Sequence, residues 1–296
     1  NAVAQRKRTV NNKGLGNRLF GNVFAEVDLF RDFTVRTSFG GESYSFAGHW
    51  FNYPTYENAE NGNSNSYSEN GGGGFSWTWT NTITYHHAFG DHDVKVVAGT
   101  EASSNKGNYF EGNTKDYFSF DPNYTNLGTG ASDPTHTSSR YADALTSLLA
   151  RVDYSFKGKY LLSGTVRRDG SSKFINNTYG VFPAVSAGWR VSDENFMKGV
   201  SWITDLKIRG SWGIMGNQFN VSSDNSFTTF DSDKSSSFYD INGTSNSIVQ
   251  GFRQARIGNP DAKWESDINA NVGFDATFFN GKLDIGFDYY RKDIKD

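Results

Sequence analysis

The chain has 296 residues, with 29 Lys and Arg against 32 Asp and Glu, and its formal net charge of −3 offers no basic field to a nucleic-acid partner. It contains no Cys, which excludes a disulfide scaffold, a thiolate metal site and a cysteine nucleophile. Aromatic residues make up 16% of the chain, with 32 Gly and only 5 Pro, a usage that favours long strands, and no run of eighteen apolar residues exists to form a spanning helix.

A barrel stays open. The mean hydropathy of −0.62 averages two faces that a membrane strand keeps apart. The opening stretch, NAVAQRKRTV, has no apolar signal region, so the chain is expected to be intracellular, or a mature or internal piece of a longer one. Arg6, Lys7, Arg8, Lys13 and Arg18 cluster there; a solvated loop is the plain reading, and pairing with lipid phosphates is the functional one. Phe30 to Asp32 reads as a tight turn, and Asn52 to Gly74 as a long polar loop whose Gly71 to Gly74 act as a flexible hinge without the Lys of a phosphate loop.

From Phe75 to Tyr85 the residues alternate. Phe75, Trp77, Trp79, Ile83 and Tyr85 share one face, with Asn81 the only interruption, while Ser76, Thr78, Thr80, Thr82 and Thr84 share the other. Gly90 and Asp91 turn the chain, and Asn105 to Asp143 forms a second long loop. The period of two returns at Leu148, Ala150, Val152, Tyr154 and Phe156, then at Val181 to Val191, where Phe182 is out of pattern. Lys157 to Lys159 is the tight turn between those segments and Ser172 to Tyr179 a shorter link. Ser192 to Asp205 is expected to hold one helical turn capped by Ser192. Leu206, Ile208 and Trp212 alternate with Lys207, Arg209 and Ser211. After a third long segment, Gly216 to Ala262, the strands Ile268 to Phe278 and Leu283 to Tyr289 flank a turn at Asn280 and Gly281.

About ten strands fit this template, and every tight turn falls on one rim and every long loop on the other. Eleven residues at about 3.3 Å each, tilted by about 45°, cover roughly 26 Å, the height of the apolar band of an outer-membrane barrel. Rings on so many strands would expose more apolar surface than a soluble monomer tolerates, so they are expected to face lipid. Phe30, Phe33, Phe89, Phe156, Tyr160, Phe278 and Phe279 crowd the tight-turn rim as an interfacial girdle would.

Chemistry is sparse. His86 and His87 are adjacent in a strand and point apart, so they do not chelate one ion; no G-x-S-x-G elbow occurs, and no cofactor or catalytic group is expected. The charges Arg151, Asp153, Arg167, Asp169, Arg190 and Arg209 are read as structural groups of an aqueous interior, with Gly170 and Ser171 starting a turn. Trp50, Tyr53, Tyr56, Tyr109, Phe110, Tyr117 and Tyr124 are read as loop aromatics, able to stack on sugars or peptide side chains or to pack the loops together.

The stretches LLARVDYSFKGKYLLSGTVRRDGSSKF, GVFPAVSAGWRVSDENFM and KWESDINANVGFDATFFNGKLDIGFDYYRKDIKD resemble the barrel of SusC/RagA-type TonB-dependent outer-membrane transporters. The resemblance implies an all-β, antiparallel transmembrane barrel, with residues 1–296 supplying about ten of about 22 strands and no plug or TonB-interacting segment. It further implies import of oligosaccharides or peptides across a bacterial outer membrane, with long loops outside. The implied partners are a SusD-like lipoprotein lid, TonB, and lipid or lipopolysaccharide. A barrel lipase or protease and a surface adhesin are the alternative readings.

Overall fold

The computed structural model describes residues 11–54, 62–233, 236–244 and 247–295. Arg6, Lys7, Arg8 and Tyr56 lie outside the described residues. Eight long strands come first: β1 (Lys13–Leu29), β2 (Phe33–Asn52), β3 (Ser66–Phe89), β4 (His92–Lys115), β5 (Ser132–Phe156), β6 (Tyr160–Ser171), β7 (Tyr179–Arg190) and β8 (Ile203–Asn217). Four short ones follow, β9 (Thr229–Asp231), β10 (Tyr239–Asp240), β11 (Ile248–Val249) and β12 (Arg253–Arg256), and then β13 (Glu265–Phe278) and β14 (Leu283–Lys295).

The ten long strands form one antiparallel sheet in chain order, β1 through β8 and then β13 and β14. The short strands pair among themselves, β10 with β11 and β12 with β9. The two outermost strands are the most exposed, β1 throughout and β14 nearly so.

Register follows the alternation. Val152 stands opposite Gly164, Gly164 opposite Val185, Val185 opposite Trp212 and Trp212 opposite Ala270, one apolar row across five strands. One residue along, Asp153, Ser163, Ser186, Ser211 and Asn271 make a polar row on the other face. Because facing residues share a face, a slip of one position would bring every charge into the apolar row. Trp79 is 48% exposed, Val152 46% and Phe274 37%, so among the described residues no second sheet or helix covers these positions of the apolar side.

The hairpin ends have the backbone that tight turns require. Phe30 and Arg31, and Lys157 and Gly158, each supply two successive positive φ values, the type I′ pattern that matches strand twist. At the last hairpin the positive φ values run through Phe279, Asn280 and Gly281. On this same end of the sheet lies the link from β7 to β8, which forms two three-residue 3-10 turns, Val191–Asp193 and Asn195–Met197. Ser192 sits inside the first turn and donates to Asp205 Oδ1 at 2.8 Å, so it is not the cap expected from sequence.

The chain divides into two compact units. The first comprises residues Asn1–Val23, Phe39–Thr78 and Ser103–Ala142; the second comprises Phe24–Ser38, Trp79–Ala102 and Asp143–Asp296. In the first, Phe51, Tyr67 and Tyr117 form a buried cluster joined by Tyr53 and Leu127. In the second, Phe174, Phe182 and Trp264 do the same, with Leu145, Ile214, Val221 and Ala262 against them. That cluster explains why Phe182 departs from the alternation: its ring stands opposite Arg167 on the charged face yet is covered by the segment that carries Trp264.

Two expected loops are shorter than the sequence implies. β3 begins at Ser66 and β4 runs to Lys115, so Gly71 to Gly74 lie inside a strand and are not a hinge. Polar composition misleads there because Gly71, Gly72 and Gly74 are covered by rings of neighbouring strands, which no alternation within the stretch itself signals. Gly170 and Ser171 likewise still belong to β6, and the turn starts at Ser172. Ser171 is buried and bonded to Gln218.

Candidate functional site

In the second unit the charged face of the sheet carries ion clusters, among them those of Arg167, Arg209 and Arg151. Arg167 reaches Glu101 Oε1 at 2.7 Å, Asp169 Oδ1 at 2.6 Å and Ser147 Oγ at 2.8 Å, tying β4, β5 and β6 together. Arg209 forks onto Asp288 through Nη1 at 2.5 Å and Nη2 at 2.8 Å and donates to Asp275 from Nε at 3.0 Å, tying β8, β13 and β14. Arg151 and Asp153 pair along one strand, with Nη2 to Oδ1 at 2.7 Å.

These arrangements satisfy their own charges. Each guanidinium points its planar fork at carboxylates, the geometry Arg serves best and Lys does not. Arg190 differs: it stands opposite Lys207 in the β7–β8 pair and has no ion pair among the described residues. A shallow bay of about 390 Å³ opens over Ser163, Ser186, Gly188 and Ser211, with Asp153, Lys207 and Arg209 at its margins. In it Ser163 stands opposite Asp153, whose carboxylate is already taken up by Arg151.

The histidines are spread. His86 Nε2 contacts Asp93 at 3.1 Å and His87 Nδ1 contacts Asp32 at 3.1 Å, on opposite faces of β3, and His92 meets the Tyr154 hydroxyl at 2.7 Å. No group of three His, Asp or Glu among the described residues is arranged to hold a metal ion.

Asn81, the polar break in the apolar face, is used. Trp79 Nε1 donates to Thr37 Oγ1 at 2.9 Å, Thr37 donates to Asn81 Oδ1 at 2.8 Å, and Asn81 Nδ2 donates to Thr100 Oγ1 at 3.5 Å. This chain across β2, β3 and β4 leaves the polar atoms partnered on a face that otherwise holds rings. At the tight-turn end, Glu194 accepts from Tyr160 Oη at 2.6 Å, Trp189 Nε1 at 3.2 Å and Lys159 Nζ at 3.3 Å. The Tyr160 hydroxyl, with help from Trp189 and Lys159, holds the Glu194 carboxyl below its ordinary range. In the loop between β8 and β13, Asp224 is held low chiefly by Arg256.

The aromatic residues expected in loops are placed differently. Trp50 ends β2, and Tyr109 and Phe110 stand within β4, not in a loop. Tyr117 is buried, its amide donating to Asn65 Oδ1 at 2.6 Å and its hydroxyl to the Asn126 carbonyl at 2.8 Å, so its ring is structural packing. Tyr53 packs against Phe51 and Phe120. Tyr124 closes a 3-10 turn, Pro122–Tyr124, and is exposed. Sequence reading missed Tyr44, Phe46 and Tyr141, which flank Tyr109 in the first unit: Phe46 lies 6.2 Å from Tyr109 and 6.5 Å from Tyr44, whose hydroxyl meets that of Tyr141 at 2.9 Å. The even spacing of Tyr44 and Phe46 in an extended stretch was the available signal.

Residues 4–296 match a family model described as TonB dependent receptor-like, beta-barrel. A TonB-dependent receptor of Formosa agariphila is 38% identical over 172 residues, 58% of this chain and 15% of that protein. The TonB-dependent receptor SusC of Bacteroides thetaiotaomicron is 28% identical over 303 residues, 95% of this chain and 27% of its own length. Among solved structures, the RagAB peptide importer in its closed-closed state superposes with a TM-score of 0.80 at 22% identity, covering 96% of this chain and 30% of that one. The chain thus spans about a quarter or less of the length of these two curated relatives.

Proposed function

Because the chain belongs to the TonB-dependent receptor β-barrel family, we propose that it forms part of the wall of an outer-membrane importer that works without covalent chemistry. The apolar rows of the sheet face lipid, and the charged rows face an aqueous interior through which oligosaccharides or peptides pass. The tight turns lie on the periplasmic side and the longer connections outside the cell, where a SusD-like lipoprotein closes over them. TonB supplies the energy through segments beyond these residues, and lipopolysaccharide borders the outer half of the wall.

The observation that carries this reading is the continuous pairing of an uncovered apolar row with a polar row one residue away, on the face that also carries the ion clusters. In water the first row would be an aggregation surface; in lipid the second would be a charge defect unless it lined water. Strands of 20 to 25 residues, such as β2 to β5, exceed the roughly 9–11 needed to cross a bilayer, and their upper parts stand outside it. The likeness to the RagAB peptide importer supports the peptide class. Uptake of neutral glycans and of peptides by a deletion strain, with and without the restored gene and with TonB removed, tests the proposal. Uptake unaffected by the deletion would defeat it.

A further inference from the structure

Four aromatic residues of the first unit lie together on the face opposite its apolar one. Phe39, Phe75 and Trp77 mark the apolar face, Phe39 stacked on Trp77, and the even-numbered Tyr44, Phe46, Gly72 and Gly74 alternate onto the other. The ring planes of Tyr44 and Phe46 are parallel to within 10°, and those of Phe46 and Tyr109 to within 24°. Side chains ordinarily stand up from a sheet. These lie down, because glycines leave the room: a Cβ on Gly72 would stand 3.0 Å from the Phe46 ring, one on Gly74 2.7 Å from the Tyr44 ring, and one on Gly107 2.7 Å from the Tyr141 hydroxyl. The polar stretch ENGGGG is therefore the bed of a flat aromatic floor across β2 to β5.

The rim of that floor is made of acceptors. Glu111 takes the Tyr109 hydroxyl at 2.5 Å and the Asn113 amide at 3.1 Å, and its charge leaves capacity for further donors. Asn70, beside Tyr109, keeps its side-chain oxygen buried with no partner. Such an atom stays costly until a donor reaches it. Cations are withheld: Arg18 is held by Glu42, Lys115 by Asp133, and alternation turns Lys106 and Arg140 to the other face. Among the described residues a ligand carboxylate would find no free counter-charge here.

Building on the import reading, the geometry points to Tyr44, Phe46, Tyr109 and Tyr141 as a stacking platform for a neutral oligosaccharide, with Glu111 accepting its hydroxyls. The weakly polarised C–H face of a pyranose ring lies on an aromatic face while its equatorial hydroxyls point outward to acceptors. Ring centroids 6.2 and 6.5 Å apart offer successive surfaces, suited to a chain of sugars more than to one.

The test uses the full-length receptor in detergent, titrated calorimetrically with malto-, cello-, laminari- and xylo-oligosaccharides and with a tryptic digest of casein. Phe46→Ala and Tyr109→Ala are expected to weaken binding of the preferred oligosaccharide roughly tenfold each, the worth of one stacked ring. Phe46→Leu keeps apolar volume, and heat-modifiable migration of every variant confirms that the barrel is folded. Unchanged affinity in folded Phe46→Leu and Tyr109→Ala would overturn the platform. Binding and cellular uptake of peptides with none of neutral oligosaccharides would overturn the substrate class and leave import standing. Uptake of neither by cells with an intact receptor and TonB would sink the import reading itself.

Discussion

Replacing Val185 by Lys puts a charge into the centre of the apolar row. Val185 lies in the middle of β7, between Gly164 and Trp212, and is 55% exposed on a side nothing covers. A twelve-residue strand at about 3.3 Å per residue, tilted by about 45°, rises roughly 28 Å, so Val185 falls near the mid-depth of the apolar band. A Lys there costs about 2–4 kcal/mol, which lowers the folding equilibrium by roughly thirtyfold to a thousandfold. Ser186→Lys, one residue away, points at Ser163 and Ser211 on the charged face and is expected to stay within about 0.5 kcal/mol of the parent. Urea unfolding of the full-length receptor in phosphatidylcholine vesicles, followed by tryptophan emission and by gel migration, reads both. Equal costs for the two substitutions, or a larger cost at 186, would refute the assignment of faces.

Three further outcomes follow from the ion clusters and the core. Arg167→Ala strands Asp169 and Glu101, which are less exposed than the partners of Arg209, and should cost about 2 kcal/mol in the same assay. Arg209→Ala should cost clearly less, because its carboxylates keep their water; the reverse ranking would contradict the role given to Arg167. Glu194 has a depressed pKa when folded, so its contribution is present above the ordinary glutamate range and is lost as pH falls through the folded value. The stability gap between the parent and Glu194→Gln should therefore be full at neutral pH and close only in acid below the ordinary range, and a gap independent of pH would contradict this. Phe174→Ala empties the centre of the second cluster, 2% exposed, at a cost of about 3–5 kcal/mol, and should be read as faster proteolysis between residues 218 and 262.

What the sequence discloses depends on whether two environments differ. From Trp79 to Tyr85 and from Leu148 to Phe156, one face is apolar and the other polar, so the period of two is legible and the count of about ten strands agrees with the sheet. The turns at Lys157 and Gly158 or at Asn280 and Gly281 are legible because few residues accept positive φ in succession. Where β3 begins, Ser66 to Gly74, both faces are polar and no contrast exists, so the strand reads as loop. Tyr117 illustrates another limit: its burial comes from Phe51 and Tyr67, fifty or more residues away in each case, and no local pattern signals that. Tyr44, Phe46 and Tyr141 were missed for a related reason, since a flat ring needs a glycine on the neighbouring strand and register sets that neighbour.

The absence of Cys from these residues allows the central claim to be tested directly by single nitroxide labels at each position from Leu148 to Phe156 of the full-length receptor in vesicles. Accessibility to oxygen, which dissolves in hydrocarbon, should peak at 148, 150, 152 and 154, and accessibility to a water-soluble nickel chelate should peak at 149, 151, 153 and 155. Profiles that rise and fall together, or in which Val152 favours the nickel reagent, would contradict a wall between lipid and water.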